Sequence, residues 1–347
     1  MKLFKRLTAI ALAAILACSC MMMASCEQAN NKLPIVCGET GMNDVAGVAT
    51  YGVNYYSLGV KAGDMAADIL LNGADVSTMS VQMDPNPTLT INETVAAEIG
   101  FTIPESVKAK ATAAGANTVT RVESAIVESG ADFTVGILQL VQHVALDQSN
   151  KGFQDQLSVR MAEAGKTVTI LDENASNEQS NNVTIAENFV AQKVDLIYTI
   201  ATSSSQAAAA ATEESKIPVL FNAVTDPVGA GLVASMEVPG GNVSGVSDIN
   251  PVAQQVSLIS ELLETTDIKI GFLYTSAEAN SKYQVDLGIA ECEAKGYEYV
   301  EKGIGDINDI QAAFTALLAE GVDAIYIPTD NTLANGIATV HSVNMGE

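Results

Sequence analysis

KVDLIYTIATSSS (193–205) and GVDAIYIPTDNT (321–332) decide how this chain folds. Each runs through a short apolar stretch into a loop of hydroxyl and amide side chains. Each then enters a helical segment, 206–215 and 333–344. Upstream stands a second matched pair, FTVGILQL (133–140) and IKIGFLYT (268–275). The first copy continues into another apolar segment, KIPVLFN (216–222), whereas the second reaches Glu347 without one. Its counterpart is KLPIVCG (32–38), at the far end of the chain. The repeat closes only if the ends are joined. That implies two pseudo-equivalent α/β lobes in circularly permuted order, facing each other across a cleft as a ligand clamp.

Apolar runs of strand length alternate with helical segments of ten to twenty residues over 133–347. This pattern predicts parallel sheets with helices on both faces. The expected strands are 33–38, 88–92, 133–140, 166–171, 194–201, 217–222, 268–275, 297–302 and 322–327, and GETGMNDVAG (38–47) and PGGNVSG (239–245) read as loops. Tyr55 to Leu71 has helical spacing, and Asn92 reads as a helix N-cap. The expected organisation is a leader at 1–26, a polar spacer at 27–32 and a joining segment at 107–132. Lobe one is about 133–245 plus 55–106, and lobe two about 246–347 plus 33–54.

The leader carries Lys2, Lys5 and Arg6, then an apolar stretch from Leu7 to Leu16 that is short for a membrane span. Met-Ala-Ser-Cys (23–26) has small residues before a cysteine, the pattern of a lipidation site at Cys26; Ile-Leu-Ala-Cys (15–18) is a weaker match. The expectation is an extracytoplasmic protein tethered by acyl chains. A net charge of −24 disfavours nucleic acid and anionic membrane as partners. Cys37 and Cys292 match no metal spacing and read as small buried hydrophobes. Two histidines, His143 and His341, do not make a metal site, and no cofactor is implied. No nucleophile elbow, Walker loop or G-x-G-x-x-G follows a strand, so catalysis has no positive sign.

Ligands of parallel α/β sheets sit beyond the carboxyl ends of strands. The loops there supply the candidates. Thr202, Ser203 and Ser204 open a helix whose hydroxyls and free amides suit a carboxylate, although one serine would serve simply as a cap. Asp330 and Asn331 hold the matching position, where Asp330 could take an ammonium group or cap the helix; Glu39 is the second ammonium candidate. Gln139 and His143 follow the first strand, Thr225 and Asp226 lie in NAVTDP (222–227), and Asn280 lies in SAEANS (276–281). Tyr51, Tyr55, Tyr56 and Tyr274 stand near these loops, where packing in the core is the commoner fate of such residues.

GETGM (38–42), ATYGVNYYSLGVKAGDMAADIL (49–70), GILQLVQHVALD (136–147), AVTDPVGAGLV (223–233), PGGNVSGVSD (239–248), LYTSAEANS (273–281) and YIPTDNT (326–332) together resemble ABC-transporter substrate-binding proteins of the tryptophan/tyrosine type. The resemblance spans nearly everything outside the leader and 107–132. It implies two Rossmann-like lobes of the type I periplasmic-binding-protein kind, joined by crossing segments that close over a small ligand. It further implies an aromatic amino acid as ligand, an ABC permease as partner and no enzymatic activity. In that family the segment like 33–106 comes last, directly after the one like 333–344; here it comes first. A ligand-sensing surface receptor would use the same clamp, and a rearranged gene product never selected for function would carry the same order.

Overall fold

A computed structural model of the chain describes residues 32–111 and 119–347. The leader with Cys26, and part of the joining segment, lie outside the described residues. In chain order the first half contains β1 (Ile35–Cys37), α1 (Thr40–Val45), β2 (Ala49–Gly52), α2 (Tyr55–Asn72), β3 (Thr88–Ile91), α3 (Glu93–Glu98) and α4 (Glu105–Lys108). Then come β4 (Phe133–Gln139), α5 (Val144–Glu163), β5 (Val168–Asn174), α6 (Gln179–Gln192), β6 (Leu196–Ile200), α7 (Thr202–Ala211), β7 (Val219–Asn222) and β8 (Val243–Val246). The remainder is α8 (Val252–Leu263), β9 (Lys269–Thr275), α9 (Ala279–Lys295), β10 (Glu298–Ile304), α10 (Ile310–Ala319), β11 (Ala324–Ile327), α11 (Asn331–Asn335) and α12 (Ile337–Met345).

The strands form two sheets, β5-β4-β6-β7-β8 in lobe one and β10-β9-β11-β1-β2-β3 in lobe two. Every pairing is parallel except that of β2 with β3. Strands β1, β6 and β11 are buried along their whole length, as strands covered by helices on both faces must be. Each sheet has an apolar core on either side. β1 lies beside β11 with Ile35 opposite Ile325 and Cys37 opposite Ile327, the place that β7 takes beside β6. Asn344 fastens the two ends: its Oδ1 accepts from the Leu33 amide and its Nδ2 donates to the Leu33 carbonyl, both at 2.9 Å.

Several elements depart from the sequence pattern. The expectation puts residues 88–106 in lobe one; they belong to lobe two, because β3 pairs with β2, and Val95, Ile99 and Ile103, with Val107 of the joining segment, share one apolar core with α8. The expected loop 38–47 contains the short helix α1, the expected loop 239–245 runs into β8, and β2 at 49–52 has no counterpart among the expected strands. The helix expected over 333–344 is broken at Gly336, where a Cβ would lie 2.5 Å from Ile310 Cδ1. Within the joining segment, Ala125 reaches the lobe-one core and Ile126 bridges Val168 beside β5.

The chain crosses between the lobes at 53–54, 83–87 and 247–251, and these passages are bonded together. Asn250 Oδ1 accepts from the Val53 amide at 3.1 Å, and Asp84 Oδ2 accepts from the Asn54 amide at 3.2 Å. Gln82 donates to Gly245 at 2.9 Å and accepts from Ser247 at 2.8 Å. Lobe one is anchored by α2 crossing α5 at glycines. The place of a Cβ on Gly152 is 2.1 Å from the Tyr56 carbonyl oxygen, and that of one on Gly59 is 2.1 Å from the Ser149 carbonyl oxygen. Behind the crossing, Phe153 stacks on Tyr198 with ring centroids 3.8 Å apart.

Gly152→Ala is therefore expected to push the two helices apart and destabilise the protein by about 1–3 kcal/mol. Chemical denaturation would show this as a lowered midpoint with an unchanged slope; a variant as stable as the parent would contradict the close crossing.

Candidate ligand-binding crevice

The carboxyl ends of β1, β4, β7, β8, β9 and β11 converge where the two lobes meet, and the loops there line one crevice. Lobe one contributes Tyr55, His143, Leu146, Ala223 and Thr225; lobe two contributes Glu39, Asn280, Thr329, Asp330, Asn331 and Ala334; Asp248 comes from the crossing between them. The geometry follows from parallel strands pointing the same way, which brings their following loops to one edge.

Three of these side chains are buried acids. Glu39 accepts from the Gly41 amide at 2.5 Å and the Met42 amide at 2.6 Å, one on each oxygen. Burial pushes its pKa up to about 7, opposed by those two amides and reinforced by the neighbouring Asp44 and Asp248. Asp248 accepts from Tyr55 Oη at 2.7 Å and Thr225 Oγ1 at 3.0 Å, and burial raises its pKa as well. Asp330 is saturated by protein donors. One oxygen takes the Thr275 amide and Ser281 hydroxyl, both at 2.6 Å; the other takes the Thr275 hydroxyl and the Leu333 amide, both at 2.8 Å. Burial and the nearby Glu278 raise its pKa, while these donors favour the ionised form.

The lobes also touch directly. His143 Nε2 is 3.3 Å from Asn331 Oδ1, and Asn177 Nδ2 donates to Thr332 Oγ1 at 3.5 Å. Burial lowers the His143 pKa, which keeps the imidazole neutral at neutral pH. Beside the crevice, Ala201 holds φ 87° and ψ 160°, a conformation that costs a non-glycine residue on the order of 1–3 kcal/mol. It turns the chain from β6 into α7. Among the described residues buried Thr202 Oγ1 has no hydrogen-bond partner, whereas Ser204 donates to Asn182 at 2.8 Å.

The comparisons with known proteins agree with this architecture. Residues 9–114 and 134–346 match the family model for ABC transporter substrate binding proteins. The chain belongs to that family. A curated relative, the tyrosine-binding protein of Clostridioides difficile, is 42% identical over 209 residues, which is 60% of this chain and 59% of the relative. The chain thus matches less than two thirds of that relative's length. Among solved structures, an ABC domain in complex with L-Trp from Streptococcus pneumoniae is 40% identical, with a TM-score of 0.56 over 62% of this chain and 71% of the other. A conserved domain protein from Vibrio cholerae is 35% identical, with a TM-score of 0.56 over 61% and 71%. The family is one of solute-binding proteins, not of enzymes.

Of the residues that sequence singled out, this binding-protein crevice gathers Glu39, His143, Thr225, Asn280, Asp330 and Asn331. It leaves others to structural work. Gln139 is turned into its own loop, donating to Asp147 Oδ1 at 2.7 Å and the Val141 carbonyl at 2.9 Å. Asp226 closes a turn by accepting from the Gly229 amide at 2.9 Å. Ser204 is tied to α6, while Thr202 and Ser203 stand at the start of α7 without lining the crevice. Sequence reasoning missed Asp248, whose only signal was an acid just past an unrecognised strand, and it placed Tyr55 with the core.

A carboxyl group whose folded pKa lies above its unfolded value binds an extra proton in the folded state. Its stabilising contribution is full below the unfolded pKa and is lost as pH rises through the folded one. For Glu39 that window runs from 4.5 to about 7. Replacing it by Gln is expected to flatten the decline of stability across that window, relative to the parent, by up to about 3 kcal/mol. Melting curves of both proteins at several pH values check this; parallel pH profiles would show that Glu39 is not the titrating group.

Proposed function

We propose that this chain is the extracytoplasmic ligand-binding component of an ABC importer, tethered by lipid at Cys26, and that it closes its lobes over an aromatic amino acid. Glu39 carries the reading. It is a buried carboxylate in the crevice with one backbone amide on each oxygen, so a lone pair on each remains for an ammonium group. Asp330, the other candidate of the sequence, is filled by its own four donors and serves better as a scaffold. The unpartnered Thr202 hydroxyl and the first amides of α7 suit a carboxylate. Tyr55, Leu146, Ala223 and Ala334 offer the surface for a ring. The relatives that bind tyrosine and L-Trp support the ligand class. The closed arrangement would then dock on the permease.

A thermal-shift panel of all common amino acids tests the reading. A ligand at 100 times its dissociation constant should stabilise by about 2.7 kcal/mol, and the shift is expected with Trp, Tyr or Phe alone. An unmoved melt would remove the ligand class. Ligand affinity should rise as pH increases towards and past about 7, because Glu39 must ionise to receive the ammonium group. Thr202→Val removes a hydroxyl with no partner among the described residues. It should leave stability near the parent's and weaken binding by about 1.5–3 kcal/mol, the contribution of a hydrogen bond to a charged group. Undiminished affinity would separate the carboxylate from α7.

We further propose that the chain order is a circular permutation of the family's. The place of β1 beside β11, the family match in two pieces and the partial coverage of relatives support it. A re-ordered chain, with residue 347 joined to 32 and opened between 111 and 119, should fold and bind as the parent does. A re-ordered chain that does not fold would argue against the proposal.

A further inference from the structure

Glu278 lies in the loop between β9 and α9, outside the lining of the crevice, and its carboxylate organises two consecutive residues of lobe two. Oε1 accepts from the Thr332 amide and the Thr332 hydroxyl, both at 2.8 Å. Oε2 accepts from the Asn331 amide at 2.9 Å, from Asn331 Nδ2 at 2.8 Å and from Asn280 Nδ2 at 3.2 Å. An ionised carboxylate only accepts, so each partner must turn a donor towards it. The Asn331 side chain then has its oxygen on the opposite side, 3.3 Å from His143 Nε2 in lobe one. The single hydroxyl proton of Thr332 is likewise taken up, leaving a lone pair for Asn177 Nδ2 of lobe one.

We propose that Glu278 is a positioning residue for lobe closure. By holding the donors of Asn331 and Thr332, it makes this face of lobe two present acceptors to two donors of lobe one, His143 and Asn177. The inference rests on the reading that the lobes close over a ligand. It adds that the latch has a fixed polarity set from outside the ligand site. The arrangement requires the His143 proton on Nε2, because the oxygen facing it cannot donate. A latch oriented before the lobes meet needs no side-chain reordering at closure, which favours the closed form.

A double-mutant cycle tests it, read by small-angle scattering of the protein without and with added L-tryptophan or L-tyrosine, and by calorimetric affinity for each. Asn177→Asp sets an acceptor against an acceptor. It should shift the scattering towards separated lobes and weaken binding about tenfold, or 1.4 kcal/mol. Glu278→Gln keeps size but turns one donor of its own towards Asn331 or Thr332, which frees a donor of that partner. Asn177→Asp should therefore do less harm in the Glu278→Gln background than in the parent. Effects that add, or an Asn177→Asp variant whose scattering and affinity match the parent's, would overturn the proposal. So would a parent that never scatters as the closed form. Melting curves of every variant separate loss of fold from loss of closure. If neither amino acid binds the parent, the ligand reading fails, and the scattering cycle alone decides on the latch.

Discussion

Acids buried at the ends of parallel strands must find donors, and this requirement shapes every loop around the crevice. An ionised carboxylate removed from water costs several kcal/mol unless hydrogen bonds replace its hydration. Asp330 meets the demand by drawing the end of β9, the start of α9 and the start of α11 onto its two oxygens. Asp248 does the same for Tyr55 and Thr225, and half-buried Glu278, outside the crevice lining, for Asn331 and Thr332. Glu39 differs in its donors: among the described residues it receives backbone amides only, while its pKa, like that of Asp330, is raised to about 7. Within the crevice Asp330 is filled, whereas Glu39 and Asp248 keep one donor on each oxygen and so carry the unused accepting capacity between the lobes.

The lobes themselves were legible because their central strands are unbroken apolar runs, and that pattern reports burial on both faces. LIYTI (196–200) and AIYI (324–327) could hardly be anything else. The strands that escaped notice, ATYG (49–52) and VSGV (243–246), carry small or polar residues at positions where neighbouring backbone and helices leave little room. The lobe assignment of 88–106 is misplaced for a related reason: β3 joins its sheet antiparallel at an edge, through pairing with β2 that no local pattern records.

At the site, the sequence identified loops better than roles. Asp and Asn at a helix start announce a cap, and Asp330 does cap α11 through the Leu333 amide. Nothing in TDNT (329–332) reveals that Thr275 and Ser281, some fifty residues upstream, fill the rest of its coordination. Gln139 and Asp226 were drawn into their own turns by contacts within a few residues. Such local competition is general for short polar side chains at loop ends. Sequence does not carry which polar atoms the folded protein leaves without a partner, as it leaves buried Thr202 Oγ1 among the described residues.

The seam between the two ends of the chain also governs how the protein comes into being. Lobe two needs β1 beside β11 and Leu33 fastened to Asn344, while lobe one needs α2 packed on α5. Both lobes are discontinuous, so in a growing polypeptide the edge of β1 that β11 will cover stays open until residues 324–327 have been made. Loop closure over such separations slows folding. Through that interval one edge of an apolar strand waits unpaired, the kind of exposed edge that makes folding intermediates prone to aggregate.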